Sequence, residues 1–164
     1  MKHVNVALFV PHAGCPHQCS FCNQKTISGS IKPLTPEDVT AACDIAKNGG
    51  VTRETSEIAF FGGSFTAVDR DYMVSLLEAA KPYIDGGYFG GIRISTRPDA
   101  IDDERLEILK KYHVTSIELG AQSMDDSVLK INRRGHTAKD VENASHLIKS
   151  YGFSLGLQMM TGLM

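Results

Sequence analysis

Short apolar runs alternate with amphipathic helical stretches along the 164 residues, and this alternation restricts the fold more than any other feature. Val4–Val10 is apolar and rich in β-branched residues, the pattern of a strand buried on both faces. Ile58–Phe61, Ile92–Ser95, Val114–Leu119 and Phe153–Met160 repeat the pattern. Thr35-Pro36-Glu37-Asp38 predicts a helix start, with a capping hydroxyl, Pro in the first turn and acids at the positive end; Asn48-Gly49-Gly50 predicts its stop. Asp69 is placed to cap a second helix, where Met73, Leu76, Leu77, Ala80 and Ile84 recur at helical spacing before Gly86-Gly87. Asp102 opens a third helix with Leu106 and Leu109 inward. Ser123-x-x-Asp126 and Thr137-x-x-Asp140 start two further helical pieces. Five strands with helices between them predict an α/β fold with a parallel sheet and right-handed crossovers. No helical pattern covers the fifth strand. The sequence therefore reads as a single domain over residues 1–164, a parallel barrel or sheet truncated after that strand.

Composition narrows the class. Apolar residues at 42% and charged residues at 22% describe a globular chain, and 17 basic against 19 acidic residues (net −2) argue against a strongly cationic nucleic-acid or membrane binder. No apolar run is long enough for a membrane span. Val6–Val10 after a single Lys2 is too short for a signal-peptide core, and Pro11-His12 interrupts the lipoprotein-like Ala13-Gly14-Cys15. A cytoplasmic location without a membrane partner is expected.

The chemistry lies in His12-Ala13-Gly14-Cys15-Pro16-His17-Gln18-Cys19-Ser20-Phe21-Cys22, directly after the first strand. Parallel α/β folds build their sites at the carboxyl ends of strands. Three of the four cysteines fall within eight residues, and in a reducing compartment such density points to metal rather than disulfides. Cys-x3-Cys-x2-Cys can hold three irons of a cubane cluster and leave the fourth open to an exogenous ligand. A Cys3His zinc site using His12 or His17 is compatible with the same residues. Cys43, on the first helix, reads as a small core residue.

This loop, with an aromatic residue before its last cysteine, resembles the mark of the radical S-adenosylmethionine (SAM) superfamily. The resemblance implies a [4Fe–4S] cluster on Cys15, Cys19 and Cys22, with SAM chelating the fourth iron, and a partial (β/α)6 TIM-type barrel. Phe60-Phe61-Gly62-Gly63-Ser64-Phe65-Thr66, Ile94-Ser95-Thr96-Arg97-Pro98-Asp99, Ile117-Glu118-Leu119-Gly120-Ala121-Gln122-Ser123 and Arg134-Gly135-His136-Thr137 are similar, in order, to the radical-SAM core of the Elongator catalytic subunit and its bacterial relatives.

The resemblance also implies site residues. Gly62 and Gly63 would bring backbone close to the SAM amino group, with Ser64 in the position after them. Ser95 would stand where many relatives place a ribose-binding carboxylate. Gln122 aligns with a SAM contact, and Arg134 would meet the SAM carboxylate, with Arg133 competing for the register. The arginines read alone are solvated helix ends, and His136 sits in a helix-start turn. Glu118, on a strand predicted to be buried, needs a partner, for which Arg134, Arg97 and a ligand are the candidates.

The implied activity is reductive cleavage of SAM to a 5′-deoxyadenosyl radical that takes hydrogen from a substrate, tRNA by the Elongator likeness, with an electron donor such as ferredoxin or flavodoxin. A coproporphyrinogen-oxidase-like enzyme acting on a small molecule and a non-catalytic metal-binding module are the alternatives.

Overall fold

The computed structural model describes residues 3–10, 19–22 and 32–163. The strands are β1 (Val4–Val10), β2 (Ser56–Gly62), β3 (Ile92–Thr96), β4 (Val114–Gln122) and β5 (Ser154–Met159). The helices are α1 (Pro36–Asn48), α2 (Arg70–Asp85), α3 (Asp103–Lys111), α4 (Asp126–Ile131) and α5 (Ala138–Ser150). Short 3₁₀ turns occupy Phe65–Ala67 and Pro98–Ala100.

All five strands are parallel and lie side by side in chain order. Sequential order keeps right-handed crossovers on one side of the sheet, as in a TIM-type barrel, whereas a doubly wound fold reverses direction. The alternation of side chains divides the two faces accordingly. Ile58, Phe60, Ile92, Ile94, Ile117 and Leu119 pack into the buried core with Leu76, Leu77, Leu106 and Leu109 from the helices. The opposite face carries Glu57, Arg93 and Glu118, which link across β2, β3 and β4. The chain is thus an α/β partial barrel, as the sequence predicts.

The predicted caps form at most helix starts. Thr35 with Asp38 and Thr137 with Asp140 make reciprocal capping boxes, and Asp69 and Asp102 accept from backbone amides of the first turn. The start of α4 differs. Asp125, not Ser123, is its cap and accepts from the Ser127 and Val128 amides, while the Ser123 hydroxyl accepts from the Asp125 amide. A carboxylate two residues on outcompetes the hydroxyl for the exposed helix amides. β4 also runs three residues past its predicted end. Its last residue, Gln122, has a left-handed φ of 66°, beside an irregularity in the β4–β5 register.

Candidate functional site

Cys19 and Cys22 lie at the carboxyl end of the sheet. Their segment is a tight turn closed by the Cys22 amide donating to the Cys19 carbonyl at 3.1 Å. Ser20 fastens the turn to the end of α4: its amide donates to the Asn132 carbonyl at 3.2 Å and its hydroxyl to Asn132 Oδ1 at 2.7 Å. Asn132 Nδ2 in turn donates to the Val128 carbonyl. Cys19 is buried and Cys22 half-buried, and neither is in a disulfide. Cys15, His12 and His17 lie outside the described residues.

Both thiols border an open cavity of about 150 Å³, roughly tenfold the space a single water needs. Gly62, Gly63 and Ser64 from the end of β2 form one wall, and Ser95, Thr96 and Arg97 from β3 another. Gly120, Gln122 and Arg134 with Gln158 complete it, so the sequence-predicted SAM-side residues converge on one place. The described lining holds two arginines and no carboxylate; Arg97 is paired with Asp99, and Arg134 is the cation left to favour an anionic group.

Gly62 has φ +108°, and a Cβ there would stand 2.7 Å from both the Phe9 ring and the Val10 carbonyl. Gly62 is therefore required by the β1–β2 contact, and it brings bare backbone to the cavity edge. The Gly63 amide is spent on the Val10 carbonyl at 2.8 Å. The Ser64 hydroxyl is also engaged: it lies 2.8 Å from Thr96 Oγ1 and accepts from the Arg97 amide at 3.2 Å.

Two buried polar atoms behave differently. Ser95 Oγ and Arg134 Nε have no hydrogen-bond partner, although both residues line the cavity and both are at least nine-tenths buried. An unpaired buried donor is costly, and a ligand presenting oxygens would satisfy both. Arg134 Nη2 donates to the Gly120 carbonyl at 2.6 Å and Nη1 to Cys19 Sγ at 3.3 Å, with the Phe21 ring 5.8 Å from the guanidinium.

Backbone shape separates Arg133 from Arg134. Arg133 takes φ 53° and is exposed, which turns Arg134 inward. Arg97 is buried as well, its guanidinium bonded to Asp99 and, at 2.6 Å, to the Arg134 carbonyl. Of the pair Arg133 and Arg134, the helix-end reading fits the exposed Arg133 and not the buried Arg134. Neither Arg97 nor Arg134 is the partner of Glu118, whose Oε1 accepts from Arg93 at 3.2 Å and Oε2 from Gln158 at 2.7 Å. Parallel register puts Arg93 and Glu118 on the same face of neighbouring strands, whereas Arg97 and Arg134 lie beyond the strand ends. His136 is buried, with Nε2 3.2 Å from the Ala121 carbonyl; burial and the charges of Arg134 and Arg97 push its pKa down. Cys43 is fully buried on α1, where burial pushes its thiol up to about 12, so it stays a neutral core residue.

Sequence reading missed Asn132 and Gln158. A lone amide in the apolar run of β5 was the available signal for Gln158. Nothing local marks Asn132, since its role depends on a contact 112 residues away.

The sequence profile of the radical SAM superfamily matches residues 9–163. The chain belongs to the radical SAM superfamily. Its family works with a [4Fe–4S] cluster and SAM, the cofactors that the cysteine loop implies. The chain is 25% identical over 191 residues to the tRNA uridine(34) acetyltransferase of Dehalococcoides mccartyi (strain CBDB1), a match covering 96% of this chain and 41% of that protein. It is 25% identical over 167 residues to the oxygen-independent coproporphyrinogen-III oxidase-like protein HemZ of Bacillus subtilis (strain 168), covering 96% of this chain and 33% of that one. Among solved structures, the archaeal Methanocaldococcus infernus Elp3 with an N-terminal deletion superposes with a TM-score of 0.68 at 20% identity, over 99% of this chain and 39% of that one. The chain thus spans from a third to about two fifths of the length of these curated relatives.

The donor set fits these cofactors. Thiols suit iron–sulfur ligation, and the unpaired Ser95 hydroxyl and Arg134 Nε suit the oxygens of SAM. No helix among the described residues is long and apolar enough to cross a membrane.

Proposed function

We propose that this chain is the cofactor-binding core of a radical SAM enzyme that modifies tRNA. The observation that carries this reading is the convergence of Cys19, Cys22, the diglycine and Arg134 on one cavity at the carboxyl end of the sheet. When bound, the reduced cluster and SAM supply hydrogen-atom abstraction from a substrate through one-electron cleavage of SAM.

Cys15, Cys19 and Cys22 would hold the cluster through their thiolates. The exposed backbone at Gly62, followed by the buried Gly63, would line the SAM amino end. Arg134 Nε would donate to the SAM carboxylate and Ser95 Oγ would bond a sugar hydroxyl. Gln122, Ser64 and Arg97 shape the cavity rim, and the Ser64 hydroxyl acts by holding β3 in place. The core face behind the sheet keeps water from the reaction on one side. A low-potential donor such as ferredoxin or flavodoxin would supply the electron, which suits a reducing cytoplasm.

The tRNA substrate follows the relative named tRNA uridine(34) acetyltransferase. The equal identity to a coproporphyrinogen-oxidase-like relative supports a second reading, a small-molecule substrate.

Anaerobic reconstitution with iron and sulfide tests the reading. About four irons per chain, and 5′-deoxyadenosine formed from SAM and dithionite, are expected. Cys15→Ala, Cys19→Ala and Cys22→Ala each reduce the iron content. Unchanged iron in all three variants, or one bound zinc and no iron, overturns the assignment. Unmodified tRNA that raises 5′-deoxyadenosine yield favours the first substrate; a porphyrinogen that does so favours the second.

A further inference from the structure

Arg134 is a buried cation without a carboxylate among the described residues to neutralise it. Burying a guanidinium in this way is costly unless some other anion lies against it. The group in contact is the sulfur of Cys19, 3.3 Å from Nη1 and itself buried. The fork has little freedom to turn elsewhere. Nη2 is tied to the Gly120 carbonyl at 2.6 Å, and the Phe21 ring lies 5.8 Å from the guanidinium carbon. Space is tight on the Gly120 side too, where an added Cβ would lie 3.4 Å from Nη2 and 3.2 Å from Gln122 Nε2.

We propose that Arg134 raises the reduction potential of the [4Fe–4S] group by donating Nη1–H to the ligating sulfur of Cys19, leaving Nε for the cavity. This rests on the cluster reading above and adds to it an electronic role for one side chain. The step concerned is uptake of one electron from an external low-potential reductant. No bond is made or broken in that step. The cluster becomes more negative by one charge. A cationic donor on a ligating sulfur stabilises the more negative state, as hydrogen bonds to cluster sulfurs generally do. Arg134 thus acts on the reaction through the cluster and is in this respect a positioning residue.

The test is an anaerobic redox titration of the reconstituted protein without SAM, followed by electron paramagnetic resonance. Wild type, Arg134→Gln, Arg134→Lys and Arg133→Gln are compared after iron content and far-ultraviolet circular dichroism are recorded. Arg134→Gln is expected to lower the reduction equilibrium constant by about tenfold, a downward shift of about 59 mV for one electron. Arg134→Lys falls between, because the ammonium keeps the charge and loses the fork. Arg133→Gln removes the same charge from an exposed neighbour and leaves the midpoint in place. Variants at Arg134 that hold full iron and titrate at the wild-type midpoint overturn the proposal. So does an equal shift in Arg133→Gln, which would make the effect one of net charge. Loss of iron from both Arg134 variants with the fold retained also overturns it, since Arg134 would then hold the cluster rather than tune it. Failure of the wild type to take up iron is a different result, visible before any variant is compared, and removes the cluster reading itself.

Discussion

Asn132 holds Ser20 by two hydrogen bonds, one from backbone to backbone at 3.2 Å and one from the Ser20 hydroxyl to Asn132 Oδ1 at 2.7 Å. The turn carrying Cys19 and Cys22 is therefore anchored to the end of α4. Asn132→Ala removes the bond from the Ser20 hydroxyl and also the Asn132 Nδ2 bond to the Val128 carbonyl. A loss of about 1 kcal/mol in stability is expected, together with lower iron per chain after reconstitution. Urea unfolding of the iron-free protein and an iron assay measure the two effects; full iron in the variant would show that the anchor does not position the thiols.

Thr96 is the hub of a hydroxyl cluster at the cavity wall. Its Oγ1 lies 2.8 Å from Ser64 Oγ and 2.5 Å from Thr66 Oγ1, and Thr66 donates onward to the Ala100 carbonyl. Thr96→Val keeps the shape and deletes the hub, so the buried Ser64 hydroxyl loses its Thr96 partner and the Thr66 amide its acceptor, at a cost of about 1–3 kcal/mol. A Tm lower by about 2–4 °C per kcal/mol is expected. An unchanged melting curve would mean that Ser64 and Thr66 satisfy one another without it.

Arg93 bridges Glu57 and Glu118, with Nη2 2.8 Å from Glu57 and Nη1 3.2 Å from Glu118. Burial opposes its charge, but the two carboxylates outweigh burial and hold its pKa above the ordinary value. Removing the centre of the row leaves two carboxylates facing each other, whereas removing one end leaves a neutralised pair. Arg93→Met is thus expected to lose more stability than Glu118→Gln, by about 1–2 kcal/mol at these half-buried positions. Urea unfolding at pH 7 gives the comparison, and equal losses would contradict it.

His136 titrates below its ordinary value, chiefly because it is buried and secondly because Arg134 and Arg97 are near. The unfolded chain then binds a proton more readily than the folded one. The stability His136 contributes is present above about pH 6.5 and is lost as the pH falls through its lowered value. His136→Gln removes the titration, so the stability of wild type relative to this variant should decline between pH 7 and pH 5. Chemical denaturation at several pH values tests this; a constant difference would show that His136 is not buried neutral.

Much of this was legible in the sequence because it is local. Strand alternation, the Thr35 and Thr137 capping boxes and the cysteine spacing each depend on neighbours a few residues apart. The start of α4 shows the limit of local reading, since Ser123 and Asp125 both fit a cap and only the backbone path chose between them. Gln122 extends β4 past its apolar run, where Met160, just past the end of β5, donates to its carbonyl.

The sequence by itself determined the alternation, and through it a parallel sheet with a cysteine-bearing stretch after the first strand; the order of the strands came from the tertiary structure. Only the tertiary structure decided which charges meet. Arg93 reached Glu118 by strand register, and the left-handed turn at Arg133 sent Arg134 inward to Cys19. Local pattern follows from short-range sterics and hydrophobic period, whereas pairing across 115 residues follows from how the packed elements close upon one another.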